Sequence, residues 1–146
     1  MDVEAKRKLL EKTKRALDGC VIVVEGKRDE RALRESGLAP NAETVKCGGK
    51  NAFATARQAL ENKEKDETNE TKKRIVVLTD FDAEGERRAA EINEALASEG
   101  NASDASVRRD FRRLLGARCV EDAPSALERL EDELEKKIGK NRKKKK

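Results

Sequence analysis

The sequence predicts an α/β fold, with a mainly parallel sheet flanked by helices. Three observations carry this. Cys20-Val-Ile-Val-Val24 is a continuous β-branched run, too short for a helix and polar on neither face. Arg74-Ile-Val-Val-Leu-Thr79 repeats that pattern, as strands buried on both faces of a parallel sheet do. Strand-like and helix-like segments then alternate along the chain.

In order, residues 2–17 read as a charged amphipathic helix with Val3, Leu9, Leu10, Ala16 and Leu17 as its apolar members. Gly19 breaks it before the first strand. Lys27 to Ser36 is a helix ended by Gly37 and Pro40. Thr44-Val-Lys-Cys47 is a short strand, Gly48-Gly49 a turn, and Asn51 to Glu61 a helix with Asn51 as N-cap. Asn62 to Lys73 is almost without apolar residues and reads as a loop. After the Arg74–Thr79 strand come a helix over Ala83 to Ser98 closed by Gly100, a loop or weak strand over 101–106, and a helix over Val107 to Leu115. Arg118-Cys-Val120 is expected as a short last strand. Pro124 to Ile138 is expected as the final helix, with Pro124 at its N-terminus. The organisation is thus an N-terminal helix over 1–17, one α/β domain over 18–138 and a basic, disordered tail over 139–146.

Charged residues make up 44% of the 146, and the net charge is +4. Six of the 34 basic residues lie in Lys140 to Lys146, so the remainder carries 28 against 30 acids, near −2. The tail is either a sequence-independent phosphate binder or a solubilising end. The three cysteines form no Cys-x-x-Cys pair, which argues for a reducing cytosol and against a disulfide scaffold or zinc ribbon. No apolar run approaches the ~20 residues of a membrane span. Met1 to Leu17 is charged throughout, unlike a signal-peptide core. A cytoplasmic protein without membrane contact is expected.

The chain has no His, Tyr or Trp. That excludes a Ser-His-Asp triad, a Cys-His dyad, a His-ligated metal and a phosphotyrosyl link within it. Chemistry must rest on carboxylates, Lys or Arg, Ser or Thr, Cys, or a bound metal.

Carboxylates stand where the two strongest strands end: Glu25-Gly26-Lys27-Arg28-Asp29, and Thr79-Asp80-Phe81-Asp82-Ala83-Glu84-Gly85-Glu86. Open α/β sheets bind ligands at the carboxyl ends of their strands. If the strands are neighbours, Glu25, Asp80 and Asp82 converge. Mg²⁺ wants about six oxygens at ~2.0–2.1 Å and keeps several waters, so carboxylates on rigid strand ends suit it. Close carboxylates repel and raise a pKa unless a cation relieves them. Asp80 and Asp82, two apart on extended backbone, can point to one side. Glu25 is a metal ligand or a general base, and Glu84 is positioned to assist. Gly26 and Gly85 let the backbone turn and approach a ligand. The helix N-termini that follow favour phosphate, which Lys27 can also pair with. Arg108, Arg109, Arg112 and Arg113 cluster at helical spacing. They form either a phosphate-binding face or a solvated flank paired with Asp104, Asp110 or Glu121.

Together the two acidic motifs resemble the Toprim family, whose pattern is a Glu after the first strand and Asp-x-Asp after a later one. Glu25-Gly26-Lys27-Arg28-Asp29 is similar to the form found in the 5S ribosomal RNA maturation nuclease. The Thr79–Glu86 run is similar to that of type IA topoisomerases, and the Toprim domains of primases share the pattern. Small archaeal stand-alone Toprim proteins share the opening motif, Leu78-Thr79-Asp80-Phe81-Asp82 and a basic helix like Arg108 to Arg113. The resemblance spans roughly residues 18–138. It implies a Rossmann-like Toprim sheet, Mg²⁺ (or Mn²⁺) held by Glu25, Asp80, Asp82 and Glu84, and nucleic acid as partner.

This sequence lacks the strand-linking tyrosine and gate domains of a topoisomerase, and the zinc and helicase-binding regions of a primase. Phosphodiester cleavage remains, with structured RNA favoured over DNA. The alternative is a non-catalytic module that binds RNA or a ribonucleoprotein. A phosphatase with Asp80 as nucleophile fits less well, because Glu84 stands where such enzymes carry Thr. Gly48-Gly49-Lys50 lacks the full phosphate-loop pattern and reads as a turn.

Overall fold

The computed structural model describes residues 2–64, 74–116 and 119–144, with side chains described up to Lys136. Its elements are α1 (Val3–Leu17), β1 (Val21–Val24), α2 (Lys27–Glu35), β2 (Glu43–Lys46), α3 (Ala52–Glu64), β3 (Ile75–Val77), α4 (Ala83–Ser98), α5 (Ala105–Leu115), a 3₁₀ turn (Val120–Asp122) and α6 (Ala123–Lys144). Three parallel strands pair in the order β2-β1-β3. The expected α/β architecture is therefore present, with every strand pair parallel.

The strand residues divide by parity. Ile22, Val24, Val76 and Leu78 pack into one core with Leu10 and Leu17 of α1, Leu33 of α2, Phe111 of α5 and Leu127 of α6. Val21, Val23, Val45, Ile75 and Val77 pack into a second core with Ala56 of α3 and Ile92 of α4. All four β1 residues are fully buried, at about 1.5–3 kcal/mol of transfer free energy each. That is why β1 tolerates no polar position.

Local signals set most boundaries. Asp2 caps α1 by accepting from Ala5 N at 2.7 Å. Asn51 caps α3 by accepting from Ala54 N at 2.8 Å, as expected.

Four expectations need correction. α3 runs on through Asn62 to Glu64, and residues 65–73 of the expected loop lie outside the described residues. α5 begins at Ala105 rather than Val107, because Asp104 accepts from Ser106 N and Val107 N and so caps a helix two residues earlier. No strand forms at Cys119-Val120, since the Val120 N–H goes to the Asp80 carboxylate instead of to a neighbouring strand; Arg118 lies outside the described residues. The backbone stays helical through Lys144, past the expected end at Ile138 and into the tail expected to be disordered. The Lys and Arg there are good helix formers, and Gly139 alone does not stop them.

Among the described residues, no helix is long and apolar enough to cross a membrane. All three cysteines are free.

Candidate metal centre at the carboxyl edge of the sheet

β1 and β3 are direct neighbours with Val23 opposite Val77. Leu78 N still bonds Val23 O at 2.7 Å, so the two strands leave the sheet side by side. The next residues outward are Glu25 and Asp80, and the structure brings them together. Burial pushes the Glu25 carboxyl up first, and the Asp80 charge pushes it further. The Asp80 backbone N–H, which bonds the same carboxyl, works against that rise.

Each acid is held from several sides. Asp80 Oδ1 accepts from Val120 N at 3.1 Å, and its carbonyl accepts from Arg108 Nη2 at 3.2 Å. Gly85 lies against that carbonyl so closely that an added Cβ would overlap the oxygen. Thr79, fully buried, donates its hydroxyl to Gly85 O at 2.7 Å. On the other side, Gly48 N donates to Glu25 O at 2.9 Å, and a Cβ on Gly48 would stand 2.6 Å from it. Gly26, expected as a tight turn, has extended backbone with nothing near its would-be Cβ.

Asp82 has a different post. It is exposed and caps α4, accepting from Gly85 N at 2.7 Å. Among the described residues, no group of three or more acidic or thiol side chains is close enough to hold a metal ion. The expected convergence is therefore seen for Glu25 and Asp80, with Asp82 at the rim. Glu84 is exposed in the first turn of α4. Lys27 is exposed at the start of α2.

The arginines part ways. Arg108 donates to Val77 O (3.0 Å), Thr79 O (2.8 Å), Asp80 O and Glu86 Oε1 (3.0 Å). Its guanidinium lies 4.6 Å from the Phe81 ring centroid. With its side chain 12% exposed, it is committed first to the loop carrying Asp80. Arg109, Arg112 and Arg113 are exposed. The flank's acidic partner is Glu86, 3.8 Å from Arg112. Asp104 pairs with Arg74 and Asp110 with Lys12.

Two contributors carry no role that the sequence alone assigns. Asp29 is buried, and its Oδ2 accepts from Gly26 N at 3.0 Å. Burial raises its pKa, with the Asp80 charge a lesser cause. A glycine N-cap followed three residues later by an acid is the signal that could have found it. Arg88 of α4 donates to Cys47 O and, at 3.0 Å, to Lys50 O. It ties the β2–α3 turn to the site, and no local pattern marks it.

The family model of the Toprim domain matches residues 20–113. The chain belongs to the Toprim family. This Toprim chain is 32% identical over 106 residues to a UPF0292 protein of Archaeoglobus fulgidus, covering 73% of this chain and 71% of that protein. It also resembles the solved structure of a putative protein from Aquifex aeolicus, with a TM-score of 0.54 and 25% identity over 83% of this chain and 97% of that one. Toprim domains are in general metal-dependent domains of nucleic-acid-handling proteins.

The residues present fit a divalent cation at two carboxylates. Glu25 and Asp80 offer only oxygen, the donor a hard cation takes. Their mutual repulsion is what a cation relieves. A Mg²⁺-type ion needs only one or two carboxylates, with water filling the rest of its shell.

Proposed function

We propose that this Toprim chain is a Mg²⁺-dependent, nuclease-like enzyme that cleaves nucleic-acid phosphodiesters, with RNA preferred over DNA and Mn²⁺ able to replace Mg²⁺. The observation that supports this is the contact of Glu25 with Asp80 at the ends of adjacent parallel strands. A bound cation would polarise the phosphodiester and offset its developing charge. Glu25 and Asp80 hold that cation. Asp82 and Glu84 at the rim reach it through water. Gly26 lets substrate approach the backbone, Gly85 holds the Asp80 loop in place by packing against its carbonyl, and Lys27, Arg109, Arg112 and Arg113 hold phosphates. The preference for RNA rests on the likeness of Glu25-Gly26-Lys27-Arg28-Asp29 to the 5S ribosomal RNA maturation nuclease. A cytoplasmic site of action goes with this reading.

A second reading is a non-catalytic module that binds RNA or a ribonucleoprotein. It is favoured by the use of Asp82 as a helix cap rather than as a third acid beside the pair.

The test is incubation of end-labelled structured RNA and DNA with Mg²⁺, Mn²⁺ or EDTA, beside Asp80→Asn. Metal-dependent cleavage that disappears in the variant supports the enzyme, and the polymer cut names the substrate. Metal binding and gel shift without cleavage move the assignment to the binding module.

A further inference from the structure

α4 and α5 pack on opposite faces of the sheet, α4 through Ile92 and Leu96 and α5 through Val107 and Phe111. Where they pass the outer side of β3, a groove of about 320 Å³ opens between them. Glu86, Ala89, Ala90 and Asn93 of α4 face it, at a spacing that puts them on one side of a helix. Ala105, Arg108, Arg109 and Arg112 of α5 face it at the same spacing.

We propose that this groove seats a single nucleotide of a nucleic-acid strand, with its base between the helices and its phosphate on Arg109 and Arg112. The proposal rests on the nucleic-acid reading above and adds a substrate subsite to it.

Size, shape, charge and place agree. The volume sits at the low end of small-ligand pockets, roughly 300–1,000 Å³, enough for one nucleotide and too little for a duplex. Alanines make the walls thin, and the groove ends on the guanidinium plane of Arg108, which covers the buried Phe81 ring. A flat base fits such a slot and stacks on such an end. Three arginines face one acid. Glu86 is taken up by Arg108 at 3.0 Å and Arg112 at 3.8 Å. Arg109 is exposed and has no acidic partner among the described residues. The surplus charge is positive, as a phosphate requires. Asn93 Oδ1 accepts from the Ser103 hydroxyl, which leaves its NH₂ to donate to a ring nitrogen or carbonyl of a base. Phe81 stands between Asp80 and Asp82 in the chain. A nucleotide seated here therefore carries the adjoining phosphodiester toward the carboxylate edge.

The experiment is an amide NMR titration of the full ¹⁵N-labelled chain without metal, using AMP, the dinucleotide 5′-phospho-ApA and inorganic phosphate in turn. AMP is expected to shift amides over 89–93 and 105–112, and to bind at least about tenfold more tightly than phosphate, as base stacking adds. The dinucleotide is expected to bind at least as tightly as AMP. Ala90→Leu, at an exposed position, fills the slot and is expected to weaken AMP by at least about tenfold while leaving phosphate unchanged. Arg112→Ala is expected to weaken both. Equal affinity for AMP and phosphate, an unaffected Ala90→Leu, shifts elsewhere on the chain, or a dinucleotide weaker than AMP would each overturn the proposal. A Mg²⁺ titration of the same sample reads Glu25 and Asp80 separately. Loss of that response alone removes the metal-dependent reading and leaves the groove, whereas loss of the AMP response alone removes the groove.

Discussion

Gly85 packs against the backbone carbonyl of Asp80 with no room for a Cβ between them. Its backbone φ is not in the left-handed region, so this glycine is required by close approach and not by its torsion angles. Gly85→Ala must displace the Asp80 loop. The expected loss is about 1–3 kcal/mol, as for overpacking elsewhere, read as a lower urea midpoint. The same variant should also bind Mg²⁺ more weakly, measured by calorimetry.

Metal linkage gives a second prediction. A ligand that binds only the folded state at 100 times its Kd adds about 2.7 kcal/mol. Mg²⁺ should raise the melting temperature of the wild type, and EDTA should reverse the rise. Glu25→Gln and Asp80→Asn should melt at the same temperature with and without Mg²⁺. If both variants respond like the wild type, the cation is not held by this pair.

The arginine helix should split under mutation. Arg109→Ala, Arg112→Ala and Arg113→Ala should each lower the slope of log affinity for RNA against log salt by about one, the effect of leaving one phosphate without its cation. Their stability should change little. Arg108→Ala should instead cost about 1.5–3 kcal/mol, the range for hydrogen bonds to a charged group. Arg108→Lys should not rescue it, because an ammonium cannot span the same acceptors. Thermal melts beside filter binding over a salt series distinguish the four.

Stability at low pH should depend on Asp104. Its carboxyl is held below the usual range, first by the Ser106 hydroxyl and then by the Val107 and Ser106 N–H groups, with Arg74 adding charge; burial opposes this. A folded-state pKa below the unfolded one contributes stability that is present above the unfolded value. That stability is lost as pH falls through the folded value. Asp104→Ala should therefore cost about 1 kcal/mol at neutral pH. The gap to wild type should close as pH falls through the folded value, in urea titrations carried down to about pH 2.

Legibility in the sequence follows from where each signal lives. The runs ending at Val24 and Val77 announce buried strands by composition alone. The acids just beyond them inherit their place from those strands, but that Glu25 meets Asp80 depends on β1 and β3 being neighbours, which only the sheet order decides. The helix over Ala83 to Ser98 is bounded by its own residues, and the fold keeps those bounds. Arg108 is beyond such reasoning. Its helical spacing shows only that it shares a face with Arg109 and Arg112. That it turns inward depends on unpaired carbonyls 28 to 31 residues away. Val120 misleads for the same reason: a β-branched residue beside a cysteine looks like a strand, and only the tertiary partner of its N–H decides otherwise. Asp82 shows competition between roles, since the residue that precedes a helix is also the one best placed to cap it.

The commitment of Arg108 to carbonyls also bears on solubility. β3 is the last strand on its side of the described sheet. Its outward carbonyls at Ile75 and Val77 are taken by the Asp104 N–H and by Arg108. An uncovered strand of Ile-Val-Val-Leu composition would be a template for pairing with another chain. A backbone N–H and one charged side chain thus occupy the outward acceptors through which a short, very apolar strand at a margin would recruit another chain.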